Sequence, residues 1–136
     1  MKRRKARECA LKILYQREMR EEPVEILLSE FWGHKPYPEK VRDYASQAVK
    51  GICLHLGEID GLISRAALNW PLERMSAVDR NILRLGTWEL LWAADIPAAV
   101  SIDEAIELAK LYGTEDSPAF INGILDRIKK MREEKN

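Results

Sequence analysis

The sequence predicts an all-α fold with about seven helices in one compact domain. Apolar residues recur at three- and four-residue steps along most of the chain, which places them on one face of a helix. A sustained apolar and polar alternation bounded by turn residues, the pattern of a β-strand, does not occur in the sequence. At 136 residues the chain is long enough for one hydrophobic core. We therefore expect a single domain over residues 1–136.

The first four helices follow from apolar stripes and from the residues that interrupt them. We predict them from about Arg4 to Arg20, Pro23 to Gly33, Glu39 to Leu56, and Ile59 to Ala67. Proline suits the first turn of a helix, whereas Gly33, Gly57 and the Trp70 and Pro71 pair predict helix ends. Two prolines between positions 34 and 38 predict a loop.

The last three helices carry start and stop signals. Ser76 with Asp79 predicts the cap of helix five, and Ser101 with Glu104 has the spacing of a capping box before helix six. Gly113 predicts the end of helix six. Ser117 followed by Pro118 predicts the start of helix seven, and we expect the charged tail at 132–136 to fray.

Composition restricts the class of protein. Apolar residues make up 46% and charged residues 32% of the chain, as in a soluble globular protein, and no segment has the roughly 18 apolar residues that span a bilayer. The basic start does not lead into the apolar segment of a signal peptide, so we expect a cytoplasmic protein without a membrane contact. Cys9 and Cys53 lie on apolar stripes and make no ligand cluster with His34 and His55. We predict neither a metal nor a cofactor.

Charge is concentrated at one end of a chain that is neutral overall. The first twenty residues hold eight Lys or Arg and two Glu, a net charge of +6. The other 116 residues hold 14 basic and 20 acidic residues, a net charge of −6. Clustered cations raise the local potential whatever the total, so residues 1–7 form a basic arm that suggests a polyanionic partner.

Helical geometry sets this charge beside an aromatic ring. At about 100° per residue, the face of helix one opposite its apolar stripe carries Arg4, Arg7, Glu8, Leu11, Lys12 and Tyr15. Cations contact phosphates and rings stack on bases, which single-stranded nucleic acid requires. From the residues alone, a solvated basic face with an incidental Tyr15 explains the pattern equally well.

The segment at 112–127 is unusually polar for the start of a core helix. Asn122 either satisfies buried backbone groups or contacts a ligand. Gly123 costs a helix roughly 1 kcal/mol relative to Ala, so we expect another backbone to approach it closely.

Motifs of known enzymes are not found. No glycine-rich loop follows a strand, and neither Gly-x-Ser-x-Gly nor His-Glu-x-x-His occurs in the sequence. The carboxylate pairs at 103–104 and 115–116 stand at predicted helix starts, where they favour the positive end of the helix dipole. The sequence thus predicts a protein that is not an enzyme.

Three blocks of sequence resemble the NusB family of bacterial transcription antitermination factors. They are Arg3–Leu11 with Leu14 and Tyr15; Met75–Leu85 with Glu89 and Leu90; and Ile102–Lys110 continuing through Gly113–Ser117 to Phe120–Asp126. The resemblance covers nearly the whole chain and implies about seven helices in two packed helical subdomains. It also implies a heterodimer with NusE, a ribosomal small-subunit protein, that recognises single-stranded boxA-type RNA. This heterodimer joins RNA polymerase and other Nus factors to suppress termination in ribosomal RNA operons, and the family includes both monomers and homodimers.

The resemblance also assigns residues to two surfaces. For the RNA it implies phosphate contacts from the basic arm, stacking at Phe120 and polar contacts from the following turn; the residues are Arg3, Arg4, Lys5, Arg7, Tyr15, Asp116, Phe120 and Asn122. For the protein partner it points to the region of helices four and five; the residues are Ile63, Ala67, Glu73 and Asp79.

Two other functions remain open from the sequence. Some rRNA cytosine methyltransferases begin with a NusB-like helical domain, so the chain could be the RNA-binding accessory domain of such an enzyme, although no catalytic module precedes Asn136. The other is a helical adaptor whose basic arm binds nucleic acid without sequence preference.

Overall fold

A computed structural model describes residues 3–68 and 70–134 and contains seven α-helices. They are α1 (Arg3–Met19), α2 (Val24–His34), α3 (Glu39–Leu54), α4 (Leu56–Ala66), α5 (Ala77–Trp92), α6 (Ala98–Tyr112) and α7 (Ser117–Glu134), with one 3-10 turn at Leu72–Arg74. None of the described residues lies in a β-strand. The predicted all-α class and the number of helices are confirmed.

Helix α5 occupies the centre of the molecule. It packs against α1, α3, α4, α6 and α7, whereas α2 packs on α1 and α3. The helices therefore form two subdomains, α1–α3 and α4–α7, that share one hydrophobic core. All ten residues of α5 from Asn81 to Leu90 are buried, including the polar ones. These ten residues place α5 where five of the other six helices pack around it.

Start and stop signals were reliable where a side chain could cap a free helix end. The Ser76 hydroxyl accepts a hydrogen bond from the Asp79 backbone N–H at 3.1 Å, and α5 begins directly after it. Helix α6 ends at Tyr112, immediately before Gly113. Helix α7 begins at Ser117, whose hydroxyl accepts from the Thr114 N–H at 2.9 Å and so closes the preceding turn.

Two predicted boundaries were wrong. Helix α6 begins at Ala98 behind Pro97, not at a capping box: Ser101 is buried in the helix and donates to Glu89, while Glu104 binds Arg4. The break after α3 is at His55, and Gly57 lies inside α4.

The two ends of the chain are more helical than predicted. Residues 3–7 of the predicted basic arm form the first turns of α1, and α7 continues through the predicted frayed tail as far as Glu134. Residues 1, 2, 135 and 136 of these two segments lie outside the described residues.

Close packing at glycine occurs in α3 and α5 and not at Gly123. A Cβ at Gly51 would clash with the Trp88 indole, and one at Gly86 would lie 2.7 Å from Leu125 Cδ1. Nothing lies within 4 Å of a Cβ built at Gly123, so the close backbone expected there is absent.

Candidate nucleic-acid interface

Carboxylates from other elements hold two of the predicted N-terminal cations. Arg4 donates to Glu104 of α6 through Nε at 2.9 Å and Nη2 at 2.6 Å, although 59% of its side chain is exposed. The guanidinium carbon of Arg3 lies 4.8 Å from the centre of the Tyr44 ring, and Arg3 Nη2 lies 3.6 Å from Asp95 Oδ2. Both arginines lie at the first turn of α1, but a phosphate would have to compete with these carboxylates for them.

Arg7 corrects the sequence prediction. Its side chain is only 5% exposed, and it donates to Glu89 through Nε at 2.7 Å and Nη2 at 3.0 Å. Leu11, expected on the same outer face, is buried as well. The helical wheel failed because α1 packs against α2, α3 and α5, which cover more of its circumference than one apolar stripe requires. Arg7 is therefore a core residue and not a phosphate contact.

The lysines of α1 have not been neutralised in this way. Lys5 is half-buried and Lys12 is exposed, and neither pairs with a carboxylate within the described part of the chain. Lys12 Nζ lies 5.9 Å from the centre of the Tyr112 ring, a cation–π geometry. Lys12 and Tyr112 are absent from the predicted site, and the only sequence signal for them was the position of Lys12 on the outer face of α1.

Tyr15 forms part of an open cavity beside this pair. The ring is 42% exposed and borders a cavity of about 300 Å³ with Leu11, Lys12, Gln16, Val78 and Tyr112. The Tyr112 hydroxyl donates to Glu8 at 2.7 Å, and burial together with this carboxylate raises the pKa of Tyr112 to about 12. The phenol therefore stays neutral at physiological pH, and its hydrogen bond to Glu8 holds the ring in place.

The turn between α6 and α7 forms a second cavity next to the first. Asp116 and Phe120 line a space of about 430 Å³ together with Trp70, Met75 and Asp79. Asp116 is exposed and Phe120 half-buried, so both remain accessible to a ligand. Val78 borders the first cavity and Asp79 the second, which makes the two cavities neighbours across the start of α5.

Asn122 is exposed on α7. Its side chain makes no hydrogen bond to any residue that the structure describes. Asn122 therefore does not satisfy buried backbone groups of the described residues, which was one of the two explanations for it. Contact with a ligand remains as the prediction.

The four residues predicted for the protein partner differ in exposure and do not share one surface. Ile63 is 0% exposed and belongs to the core, so its assignment to an apolar contact surface was wrong. Helical spacing identified it as apolar but did not reveal that this face of α4 packs on α5 and α7. Ala67 is half-buried, and Glu73 is exposed on the 3-10 turn. Asp79 lies in the same cavity as Phe120, so a residue predicted for the protein partner shares a groove with one predicted for RNA.

A polar cluster that the sequence did not predict joins α1, α4 and α5. Glu18 binds Arg80 and Arg84, and Asn81 donates to the same carboxylate at 2.7 Å. Arg84 also binds Asp60 at 2.8 Å. Because these groups are largely buried and paired with each other, they stabilise the helix packing and are not available to a ligand.

Other chemistry is sparse within residues 3–68 and 70–134. They contain no group of three His, Cys, Asp or Glu residues that could hold a metal ion, and no helix long and apolar enough to cross a membrane. Cys9 is buried and Cys53 half-buried, and burial raises the pKa of both thiols. Both cysteines are free.

Comparisons with known proteins agree on one family. The model of the NusB family matches residues 4–130. The transcription antitermination protein NusB of Sorangium cellulosum is 47% identical over 122 residues, which cover 90% of this chain and 87% of that protein. The structure of NusB from T. maritima is 50% identical with a TM-score of 0.88, covering 94% of this chain and 90% of that one. A crystal structure of the antitermination factors NusB and NusE in complex with dsRNA is similar at 30% identity and a TM-score of 0.86, covering 95% of this chain and 96% of that one.

Proposed function

Because the chain belongs to the NusB family, we propose that it is a transcription antitermination factor that pairs with NusE and binds boxA-type single-stranded RNA. In this role it supports processive transcription of ribosomal RNA operons as part of an RNA polymerase complex with other Nus factors. It acts in the cytoplasm, where that transcription takes place. The function is one of binding and not of catalysis, in agreement with the antitermination proteins that it matches.

The observation that carries this proposal is a continuous surface of cations and rings in a chain of this family. It begins at Arg4 and Lys5, passes Lys12 with Tyr112, and reaches Tyr15 at the first cavity. Arg4 and Tyr15 are eleven residues apart on α1, or about 16 Å at 1.5 Å per residue. A strand of several nucleotides can follow this surface, with phosphates on the cations and bases on the rings.

The second cavity extends the surface to the turn before α7. Phe120 offers a ring for stacking, and Asp116 and Asn122 offer polar groups that can hydrogen-bond to base edges. We assign no phosphate contact to Arg7, whose guanidinium is committed to Glu89. Arg3 contributes to the surface as a cation over Tyr44 and only secondarily as a phosphate contact.

Two of the residues assigned to the partner are acidic, which suits a basic ribosomal protein. Glu73 is exposed on the 3-10 turn and Asp79 follows it at the start of α5. Residues 21–136 carry a net charge of −6. Complementary charge speeds the encounter with a basic partner and disfavours wrong partners. A relative whose structure contains NusE and RNA supports both partners for this chain.

A binding titration at fixed salt tests the proposal. We expect boxA-type RNA to bind more tightly than a scrambled sequence, and more tightly still when NusE is present. Equal affinities for the two RNAs would instead indicate an adaptor without sequence preference. Sedimentation of the free chain and of its mixture with NusE distinguishes a monomer from a homodimer in the same samples.

Charge removal locates the RNA on the surface. The double variant Arg4→Gln and Lys5→Gln should reduce the salt dependence by about 0.7 in log–log slope for each phosphate that the protein no longer neutralises. Lys50→Gln is the matched control, since Lys50 is an exposed lysine on α3 that lies 3.7 Å from Glu25 at the start of α2. A slope that stays the same in the double variant would remove the start of α1 from the RNA surface.

A further inference from the structure

The turn between α2 and α3 has the same chemistry as the surface on α1, although nothing in the family resemblance assigns a role to it. Lys35 Nζ lies 5.2 Å from the centre of the Tyr37 ring. Lys35 is exposed and Tyr37 half-buried, so the cation and one part of the ring face outward. Tyr37 also stacks on Phe31 of the core with ring centres 5.9 Å apart and an interplanar angle of 17°. The ring is thus a fixed platform and not a mobile side chain.

This turn lies beside α1, next to the proposed RNA surface. Helix α2 follows α1 after four residues and packs on it, so the end of α2 and the turn after it lie beside the start of α1, where Lys5 and Glu8 are. Tyr112 contacts the same part of α1 through its hydrogen bond to Glu8, so the pairs Lys35 with Tyr37 and Lys12 with Tyr112 both lie along α1. We call these two pairs, together with Lys5, the tyrosine–lysine strip.

The carboxylates around the strip define where it ends. Glu8 lies within it and accepts the Tyr112 hydroxyl hydrogen bond at 2.7 Å, so the strip carries three lysines against one carboxylate. Glu39 and Asp43 line a cavity of about 380 Å³ that Tyr37 shares with Trp32 and Arg42. Carboxylates repel phosphates, so Glu39 and Asp43 disfavour the continuation of a strand past Tyr37, although Arg42 lies among them with its guanidinium 5.8 Å from the centre of the Trp32 ring. The strip therefore extends the RNA surface by one aromatic platform and its cation.

We propose that Lys35 and Tyr37 bind nucleotides that flank the boxA-type element, so that the RNA surface continues from α1 onto the turn between α2 and α3. Fixed rings with adjacent cations bind single strands with little sequence preference, which suits flanking nucleotides of variable sequence. This inference rests on the proposed function, because it takes the surface on α1 as the site of the element itself.

RNAs of different length provide the test. Wild-type protein is titrated at one salt concentration with the element alone and with the element extended by about six nucleotides at its 5′ or its 3′ end. We expect one of the two extensions to raise the affinity. Lys35→Gln and Tyr37→Leu should each remove at least about fivefold of affinity for that extended RNA and leave the affinity for the element alone unchanged. Lys50→Gln, at the opposite end of the α2 and α3 hairpin, should keep the full gain.

The alternative outcomes are distinct. The inference is overturned if neither extension raises the wild-type affinity, or if Lys35→Gln retains the gain. It is also overturned if both variants weaken the element alone as much as the extended RNA. Lys35 is exposed, so its replacement keeps the test valid even if Tyr37→Leu lowers the melting temperature. A wild-type protein that does not distinguish boxA-type from scrambled elements contradicts the proposed function, while the gain from flanking nucleotides can still be measured with either RNA.

Discussion

At the scale of single residues, the charge of Arg7 binds Glu89 inside the core, although its place in a basic arm suggested a contact with phosphate. Glu89 accepts four hydrogen bonds inside the core: two from Arg7, one from the Tyr44 hydroxyl at 2.8 Å and one from the Ser101 hydroxyl at 2.8 Å. Burial, with Glu89 beside it, raises the pKa of Tyr44 far above its usual range, so its hydroxyl remains a donor. Arg7 is therefore one member of a fully paired buried network, and its charge is compensated inside the protein.

Replacing Glu89 by Ala should lower the free energy of unfolding by about 3–5 kcal/mol, because it leaves the buried Arg7 guanidinium with only its longer contact to Glu104 at 3.4 Å. Urea denaturation followed by circular dichroism measures this loss. The double variant Arg7→Met and Glu89→Met should recover part of it, since an apolar pair of similar volume removes both charges but leaves the Tyr44 and Ser101 hydroxyls without their acceptor. A loss below about 1 kcal/mol in Glu89→Ala would show that the network contributes little.

Phe120 permits a separate test of ligand contact. Phe120→Ala should weaken RNA binding by about 1–3 kcal/mol if a base stacks on this ring. The ring is half-buried and lines the second cavity, so we expect only a small decrease of the melting temperature. RNA titration and thermal melting of the same sample measure the two effects. A large decrease in melting temperature with unchanged RNA affinity would make Phe120 a core residue only.

At the scale of elements, glycine distinguishes tight from loose helix packing. Gly51 lets α3 approach the indole of Trp88 on α5, whereas Gly123 on α7 faces no atom within 4 Å. The sequence marked Gly123 as the position of close approach and did not mark Gly51. Nothing local separates the two glycines, because only the partner helix decides whether a methyl group fits.

We expect opposite effects from the same substitution at these two positions. Gly51→Ala should destabilise the protein, since the buried Trp88 ring cannot move aside without disturbing the core. Gly123→Ala should stabilise it by up to about 1 kcal/mol through helix propensity alone. Urea denaturation of both variants gives the sign directly. Destabilisation by Gly123→Ala would reveal a contact that the helix packing does not explain.

Local sequence signals predicted helix boundaries well where no tertiary contact used the same side chains. Ser76 and Gly113 fulfil their predicted roles because a side-chain cap or a glycine suffices to end a helix. Ser101 and Glu104 have the spacing of a capping box but make tertiary contacts to Glu89 and Arg4 instead. The candidate site follows the same rule: the exposure of Tyr15 was predictable from the helical pattern and Asp116 was assigned by the family resemblance, whereas the burial of Arg7 and Ile63 depends on which helices cover them.

For the whole molecule, ion pairs between distant elements make stability depend on pH. The hydrogen bonds from Arg4 lower the pKa of Glu104 below its ordinary value of 4.5. Burial opposes the ionisation of Glu18, but hydrogen bonds from Arg80 and Asn81 prevail and lower the pKa of Glu18 as well. Both carboxylates bind protons more weakly in the folded protein than in the unfolded chain, so acid favours unfolding.

The free energy of unfolding should therefore stay constant from neutral pH to about pH 5 and decrease as the pH falls below the ordinary value of 4.5. Urea denaturation across pH 3–7 measures the profile. Glu104→Gln should make the acid-induced decrease shallower than in the wild type, whereas Glu115→Gln, an exposed carboxylate in the turn before α7, should leave its steepness unchanged. Identical profiles for wild type and Glu104→Gln would exclude this pair as a source of acid sensitivity.

The groove at the start of α5 has a thermodynamic consequence for assembly. Asp79, assigned to the protein partner, and Phe120, assigned to RNA, line the same cavity. Two ligands that share one groove are linked by a single coupling free energy, which is the same on both routes around the binding cycle. The factor by which NusE tightens the hold on RNA must then equal the factor by which RNA tightens the hold on NusE. A small helical protein can in this way make the presence of each partner a condition for retaining the other.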